Sequence, residues 1–102
     1  MFRAVVTFER PDTSANFFYQ EYIDHPVVKE IQAKFESSQG FIAKRILLET
    51  DSLFEVAMEF DSFETFMSFV EKNKELIDQR NELVKSWCET NNHRFEHRFE
   101  HV

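Results

Sequence analysis

Alternation of apolar and polar residues predicts a β-strand over residues 2–9. The apolar positions that share one face of this strand are Phe2, Ala4, Val6 and Phe8. Pro11 and Asp12 follow directly and end the pattern, since both residues are typical of turns. The chain therefore begins with a strand that has one face in the core.

A helical spacing follows between Thr13, a favourable N-cap residue, and Ser38. The apolar residues with this spacing are Phe18, Tyr22, Val28, Ile31 and Phe35. Pro26 interrupts the pattern, because proline removes a helical hydrogen bond and disfavours helical geometry at His25. We expect a broken first helix that restarts near His25 and Pro26. Gly40, the only glycine in the chain, stands where a helix C-cap or a tight turn is needed.

Residues 41–50 and 53–60 have the composition of two strands joined by a short turn at 50–52, which predicts a β-hairpin. The second strand alternates clearly, and its core-facing residues are Phe54, Val56, Met58 and Phe60. One face of the hairpin should therefore lie in the core and the other should be partly exposed.

A long amphipathic helix is predicted after the hairpin, with Asp61 and Glu64 forming a capping-box pattern at its start. Its apolar stripe comprises Phe63, Phe66, Met67, Val70, Ile77, Val84 and Trp87. About 29 helical residues would span roughly 43 Å, whereas a strand of eight or nine residues spans about 30 Å. We therefore predict a break near residues 72–74 or an overhang beyond the sheet.

Residues 93–102 alternate as a fourth strand and give the element order βαββαβ. This order predicts one ferredoxin-like α+β domain over residues 1–102, with a four-stranded antiparallel sheet and two helices on one face. One face of the last strand would carry His93, Phe95, His97, Phe99 and His101, and the other would carry Arg94, Glu96, Arg98 and Glu100.

Charge and cysteine content limit the classes of partner. The formal net charge of the 102-residue chain is −7, which argues against nucleic-acid binding because that affinity comes largely from Lys and Arg. Cys88 is the only cysteine, so an internal disulfide is excluded; together with the lack of a signal-peptide pattern, this favours a cytoplasmic location. No apolar run approaches the roughly 20 residues of a membrane span.

The layout resembles the dimeric α+β barrel superfamily, in particular the antibiotic-biosynthesis-monooxygenase-like domains. The resemblance lies in Gly40-Phe41 at the start of the second strand, and in the strand, acidic cap and helix of residues 54–66. It implies a homodimer formed through the sheet face without helices, and oxidation or binding of aromatic molecules without a cofactor. Haem-degrading relatives use an Asn on the first strand, a Trp at the end of the third and a His on the next helix. Phe60 replaces the Trp and the other two groups are missing, so we expect no haem degradation.

The tandem tetrapeptide of residues 93–101 raises the question of a metal site. On a helix its three histidines would share a face and could bind zinc or nickel. On a strand, successive histidines lie about 13 Å apart, too far for one ion held at about 2 Å by each ligand. We predict a strand and no metal site. Phe95 and Phe99 should then anchor the core, with His93 and His101 at solvated ends and His97 in the interior.

Two functions from different classes remain open. In the first, a small aromatic ligand binds between sheet and helices, near Tyr22, His25, Trp87 and His97. In the second, the core is filled and a non-enzymatic homodimer contacts another macromolecule. The sequence contains no phosphate-binding loop, nucleophile elbow or metalloprotease His pair, and Cys88 is expected to be a buried thiol.

Charges on the sheet face away from the helices bear on the predicted dimer. Besides those of the last strand, this face should carry Arg3, Glu9, Arg45, Glu55 and Glu59, with Val5, Leu47 and Ala57 as its apolar part. A twofold interface must be self-complementary, and alternating Arg and Glu satisfies that condition. The alternative is an ordinary solvated face.

Overall fold

A four-stranded antiparallel sheet organises the chain. The structure is a computed structural model that describes residues 1–10 and 23–102. Within those residues the elements are β1 (Phe2–Glu9), α1 (Pro26–Glu36), β2 (Phe41–Glu49), β3 (Leu53–Phe60), α2 (Phe63–Lys72), α3 (Lys74–Asn91) and β4 (Arg94–His101). The sheet order is β2-β3-β1-β4, which leaves β2 and β4 at the edges. The predicted ferredoxin-like α+β fold is confirmed.

Two hydrophobic clusters fill the space between the sheet and the helices. The first contains the buried residues Phe8, Val28, Phe54, Val56, Val84 and Cys88. The second contains Phe2, Ile31, Phe35, Phe60, Phe66 and Phe69. Both clusters draw sheet residues from the positions that the alternation of β1 and β3 assigned to the core. The helices therefore cover one sheet face, and we call the opposite face the open face.

The start of α1 confirms the predicted break at proline. Pro26 occupies the first helical turn, where its missing N–H has no helical partner to lose. His25 is the N-cap, and its Nδ1 accepts a hydrogen bond from the Val27 N–H at 3.1 Å. Residues 13–22 of the predicted first helix lie outside the described residues. Gly40 has φ +85°, which confirms the predicted turn glycine.

The predicted long helix divides at Asn73 into α2 and α3, as its length relative to the sheet suggested. The predicted cap is displaced by one residue: Ser62, not Asp61, is the N-cap of α2. The Ser62 Oγ accepts from the Thr65 N–H at 3.2 Å, whereas Asp61 accepts from the Thr65 hydroxyl. Among the helices described, none is long and apolar enough to cross a membrane.

Strand β4 forms where it was predicted, but His93, which directly precedes it, and two of its own side chains differ from expectation. His93 is buried, with 5% of its surface exposed, because it follows Asn92 in the left-handed region and its N–H bonds Cys88 O at 2.9 Å. Phe99 is 60% exposed and His97 is also exposed. Both were expected in the core. They lie on an edge strand, where the helices cover the sheet incompletely.

Candidate functional site

The structure brings together two of the four residues predicted to bind a ligand. The rings of His25 and Trp87 meet edge to face at a centroid distance of 5.9 Å. His97 lies opposite Val6 on the helix side of the sheet, with its ring 5.6 Å from that of Phe95. Its exposure makes the prediction of an interior imidazole wrong. Tyr22 lies outside the described residues, so its place in the site stays a prediction.

An arginine interrupts the apolar stripe of α3. Ile77 packs against the second hydrophobic cluster and Val84 belongs to the first, while Arg80 stands between them at the same helical spacing. Arg80 is not among the residues predicted from the sequence, because the predicted stripe contains apolar residues alone. The signal in the sequence was an arginine three residues after Ile77 and four residues before Val84, at the spacing of the apolar stripe.

Arg80 lines a small cavity between the sheet and the helices. The cavity has a volume of about 30 Å³, which is roughly the share of one water molecule. Val6, Val56 and Met58 supply an apolar floor from the sheet. Its polar members are Gln32 from α1, Lys44 from β2 and Arg80 from α3. No carboxylate is found among the described residues that line it.

The electrostatics of this cavity favour bound negative charge. Arg80 Nη2 donates to Asn81 Oδ1 at 3.1 Å, whereas the buried Arg80 Nε has no hydrogen-bond partner within residues 1–10 and 23–102. Lys44 is exposed as a whole, but partial desolvation lowers its pKa, and the charge of Glu36 opposes that shift. Although the His97 side chain is exposed, partial desolvation by its neighbours and the positive charge of Arg80 lower its pKa, which favours the neutral form. The local cations are thus not matched by carboxylates inside the cavity.

A network of alternating charges covers the open face. Glu59, only 1% exposed, accepts from Arg3 Nη2 at 2.8 Å and also bonds Arg45 Nε. Arg98 contacts Glu55 at 3.0 Å and Glu100 at 2.8 Å, and Arg3 reaches Glu100 at 3.4 Å. Burial opposes ionisation of Glu59, but the hydrogen bonds and charges of Arg3 and Arg45 outweigh it and lower its pKa. The predicted alternation of Arg and Glu on this face is confirmed.

The apolar part of the open face differs slightly from prediction. Val5 and Ala57 are buried even without a partner chain, because the long charged side chains around them cover them. The register of β2 shifts between Ile46 and Leu48, so Leu48 comes to lie opposite Glu55 on this face. Leu47, the residue named from the sequence, lies within the irregularity. Leu48 is therefore better placed than Leu47 to make an apolar contact across the open face.

Cys88 fits the expectation of a buried thiol. It belongs to the first hydrophobic cluster, and burial raises its pKa to about 11. Because the thiolate is the nucleophilic form, a raised pKa makes this cysteine unreactive near neutral pH. No group of three possible metal ligands lies together in the described part of the chain.

Comparison with solved structures defines the class of this fold. A mutant of SnoaB, a cofactor-independent oxygenase from Streptomyces nogalater, is 14% identical, with a TM-score of 0.67 over 99% of this chain and 91% of that chain. A dimeric ferredoxin-like protein from an uncultured marine organism is 13% identical, with a TM-score of 0.65 over 100% and 94%. A candidate antibiotic biosynthesis monooxygenase from Deinococcus radiodurans is 11% identical, with a TM-score of 0.57 over 100% and 92%.

These similarities are similarities of fold. The ferredoxin-like fold that the sequence resemblance implied is confirmed. Comparisons with family models and with curated proteins find no match. A shared fold does not define an activity, so any binding or catalysis by this chain depends on its own residues.

Proposed function

We propose that this protein is a homodimeric domain that binds a small aromatic molecule between its sheet and helices, as a candidate cofactor-independent oxygenase. The observation that carries the proposal is a largely apolar cavity between the sheet and the helices, to which Arg80 adds a charged group. Buried polar groups placed among apolar ones are typical of ligand sites. The fold shared with SnoaB, described as a cofactor-independent oxygenase, supports the same class of function.

The size of the cavity limits how a ligand enters. A volume of about 30 Å³ accommodates a single polar atom of a ligand, not an aromatic ring. The ring must then lie at the mouth, towards the exposed side chain of Lys44, or displace α1 slightly from the sheet. His97 lies on β4, at the opposite edge of the sheet, and neither it nor the His25–Trp87 pair lines this cavity, so their part in ligand binding stays a prediction from the sequence.

Binding can be tested with a naphthoquinone and the chain's only tryptophan. Titration with menadione should change the fluorescence of Trp87 and shift the amide resonances of Val6, Met58 and Gln32 more than that of Lys85 on the exposed side of α3. Oxygen uptake with an anthrone such as dithranol then separates an oxygenase from a protein that only binds. Absence of shifts at the cavity residues would refute the proposed site.

The dimer is proposed to form through the open face. Its support is the alternating Arg and Glu network, the exposed Leu48 and the fold shared with a protein described as a dimeric ferredoxin-like protein. Light scattering should give twice the chain mass of 12.3 kDa. Leu48→Glu should shift the equilibrium towards monomer, whereas Lys29→Glu on the exposed side of α1 should not. A mass of one chain throughout the micromolar range would contradict the proposal.

A non-enzymatic interaction domain is the second candidate. It is favoured by the small volume of the cavity and by apolar side chains that stay exposed on the helix side of the sheet, namely Ile46, Phe63 and Phe99. A protein of this class would remain a dimer and would bind neither the naphthoquinone nor the anthrone. The two titrations above therefore separate the candidates.

A further inference from the structure

Arg80 is a charged residue within the apolar stripe of α3. It occupies a core-facing position of α3, between Ile77 and Val84, where an apolar side chain would complete the stripe. A cation placed between two apolar clusters lowers stability unless a hydrogen-bond partner or a counter-charge compensates it. We therefore expect a hydrogen-bond acceptor or a negative charge beside Arg80.

The hydrogen-bond inventory of Arg80 is incomplete. A guanidinium offers five N–H donors in a fixed plane. Among the described residues it has one bond, from Nη2 to Asn81 Oδ1 at 3.1 Å, and the buried Nε has no partner there. Asn81 is neutral, so this bond does not balance the charge. The N–H donors of Arg80 that have no partner suit an oxygen acceptor that carries negative charge.

The charges around Arg80 favour the same kind of acceptor. Lys44 is a second cation at the cavity wall, and Gln32 adds an amide donor. Glu36, whose charge acts on Lys44, already accepts a hydrogen bond from Gln32 Nε2 at 3.3 Å and is itself exposed. Among the described residues, none that lines the cavity offers a carboxylate to Arg80.

The shape of the site narrows the class of ligand. About 30 Å³ admits one oxygen atom beside Arg80 and excludes a free sulfate or phosphate ion. The floor of Val6, Val56 and Met58 is apolar and suits a carbon skeleton. We infer that Arg80 binds the ionised hydroxyl or carboxylate of an aromatic ligand, so that the protein selects acidic over neutral aromatic molecules. This inference rests on the proposed function, because it specifies the ligand class of the same site.

A pair of naphthoquinones of matched shape tests the inference. Lawsone carries an ionised hydroxyl at neutral pH, and menadione carries a methyl group at the same ring position. The wild-type protein should bind lawsone at least about 10-fold more tightly, as expected for a charge-assisted hydrogen bond. Arg80→Gln should remove this preference and weaken menadione binding less than about 2-fold. Lys85→Gln, which removes an exposed cation from the same helix, should leave both affinities unchanged.

A second readout uses the unmodified protein. The Nε–Hε resonance of Arg80 should shift when lawsone binds and should stay in place when menadione binds. Equal affinities for the two compounds in the wild-type protein, or equal losses of both in Arg80→Gln, would overturn the selection of acids and leave the proposed function intact. Failure of both compounds to bind would overturn the proposed function together with this inference.

Discussion

Replacing Arg80 with methionine should stabilise the protein while it impairs ligand selection. Met is apolar, helix-favouring and flexible enough to fill the cavity beside Met58. A buried donor without a partner costs about 1–3 kcal/mol, and replacing buried ions by apolar groups is often stabilising. Arg80 is only half-buried and keeps its bond to Asn81, so the lower end applies. We expect a gain of about 1 kcal/mol, or a rise in Tm of about 4–8 °C.

Urea unfolding followed by circular dichroism measures this effect. The midpoint should rise with an unchanged m-value, which would show that the compactness of the two states is not altered. Lys85→Met on the exposed side of α3 is the matched control and should change the stability by no more than about 0.5 kcal/mol. A loss of more than about 1 kcal/mol in Arg80→Met, with the control unchanged, would refute the view that this cation is held at a cost to stability.

Three further predictions concern the rest of the fold. Glu59→Gln should cost about 2 kcal/mol at neutral pH. Because Arg3 and Arg45 lower the pKa of Glu59 in the folded state, its contribution to stability is complete above the ordinary value of 4.5 and is lost below it. Urea midpoints measured against pH should therefore fall more steeply below that value in the wild type than in Glu59→Gln; parallel curves would contradict this. Gly40→Ala should cost more than about 1 kcal/mol of unfolding free energy, since φ is +85° and a Cβ would lie 2.7 Å from Asp61 Oδ1. Haemin titration should give no Soret shift characteristic of an axial ligand, and a shift that is lost in a histidine variant would refute the expectation.

The central strands could be predicted from the sequence because their environment is determined by alternation alone. In β1 and β3 every second residue meets the helices, so Phe8 and Phe54 lie where the pattern placed them. The edge strands followed the pattern less closely. Alternation assigns Phe99 to the helix side, but it contains no information on how far the helices extend over β4. Likewise, the register shifts of β2 depend on its fit to β3 and leave no mark in the composition.

The candidate site was only partly predictable for a related reason. The sequence analysis placed His97 on the correct face of its strand but assumed that this face is covered along its whole length. His25 and Trp87 do meet, since the restart of α1 at Pro26 fixes the position of His25 beside α3. Arg80 was missed because its significance depends on tertiary position: an exposed arginine in a helix is ordinary, whereas one between two hydrophobic clusters is not.

The irregular register of β2 affects how copies of this chain can associate. Edge strands with exposed apolar residues such as Ile42 and Ile46 are templates for open-ended addition of further strands. The two register shifts, between Phe41 and Ala43 and between Ile46 and Leu48, twist this edge and interrupt the regular series of free backbone groups. A contact through the edge could be repeated without limit, whereas a twofold contact through the open face is complete with two chains. The bulged edge thus favours a closed pair over a growing fibre.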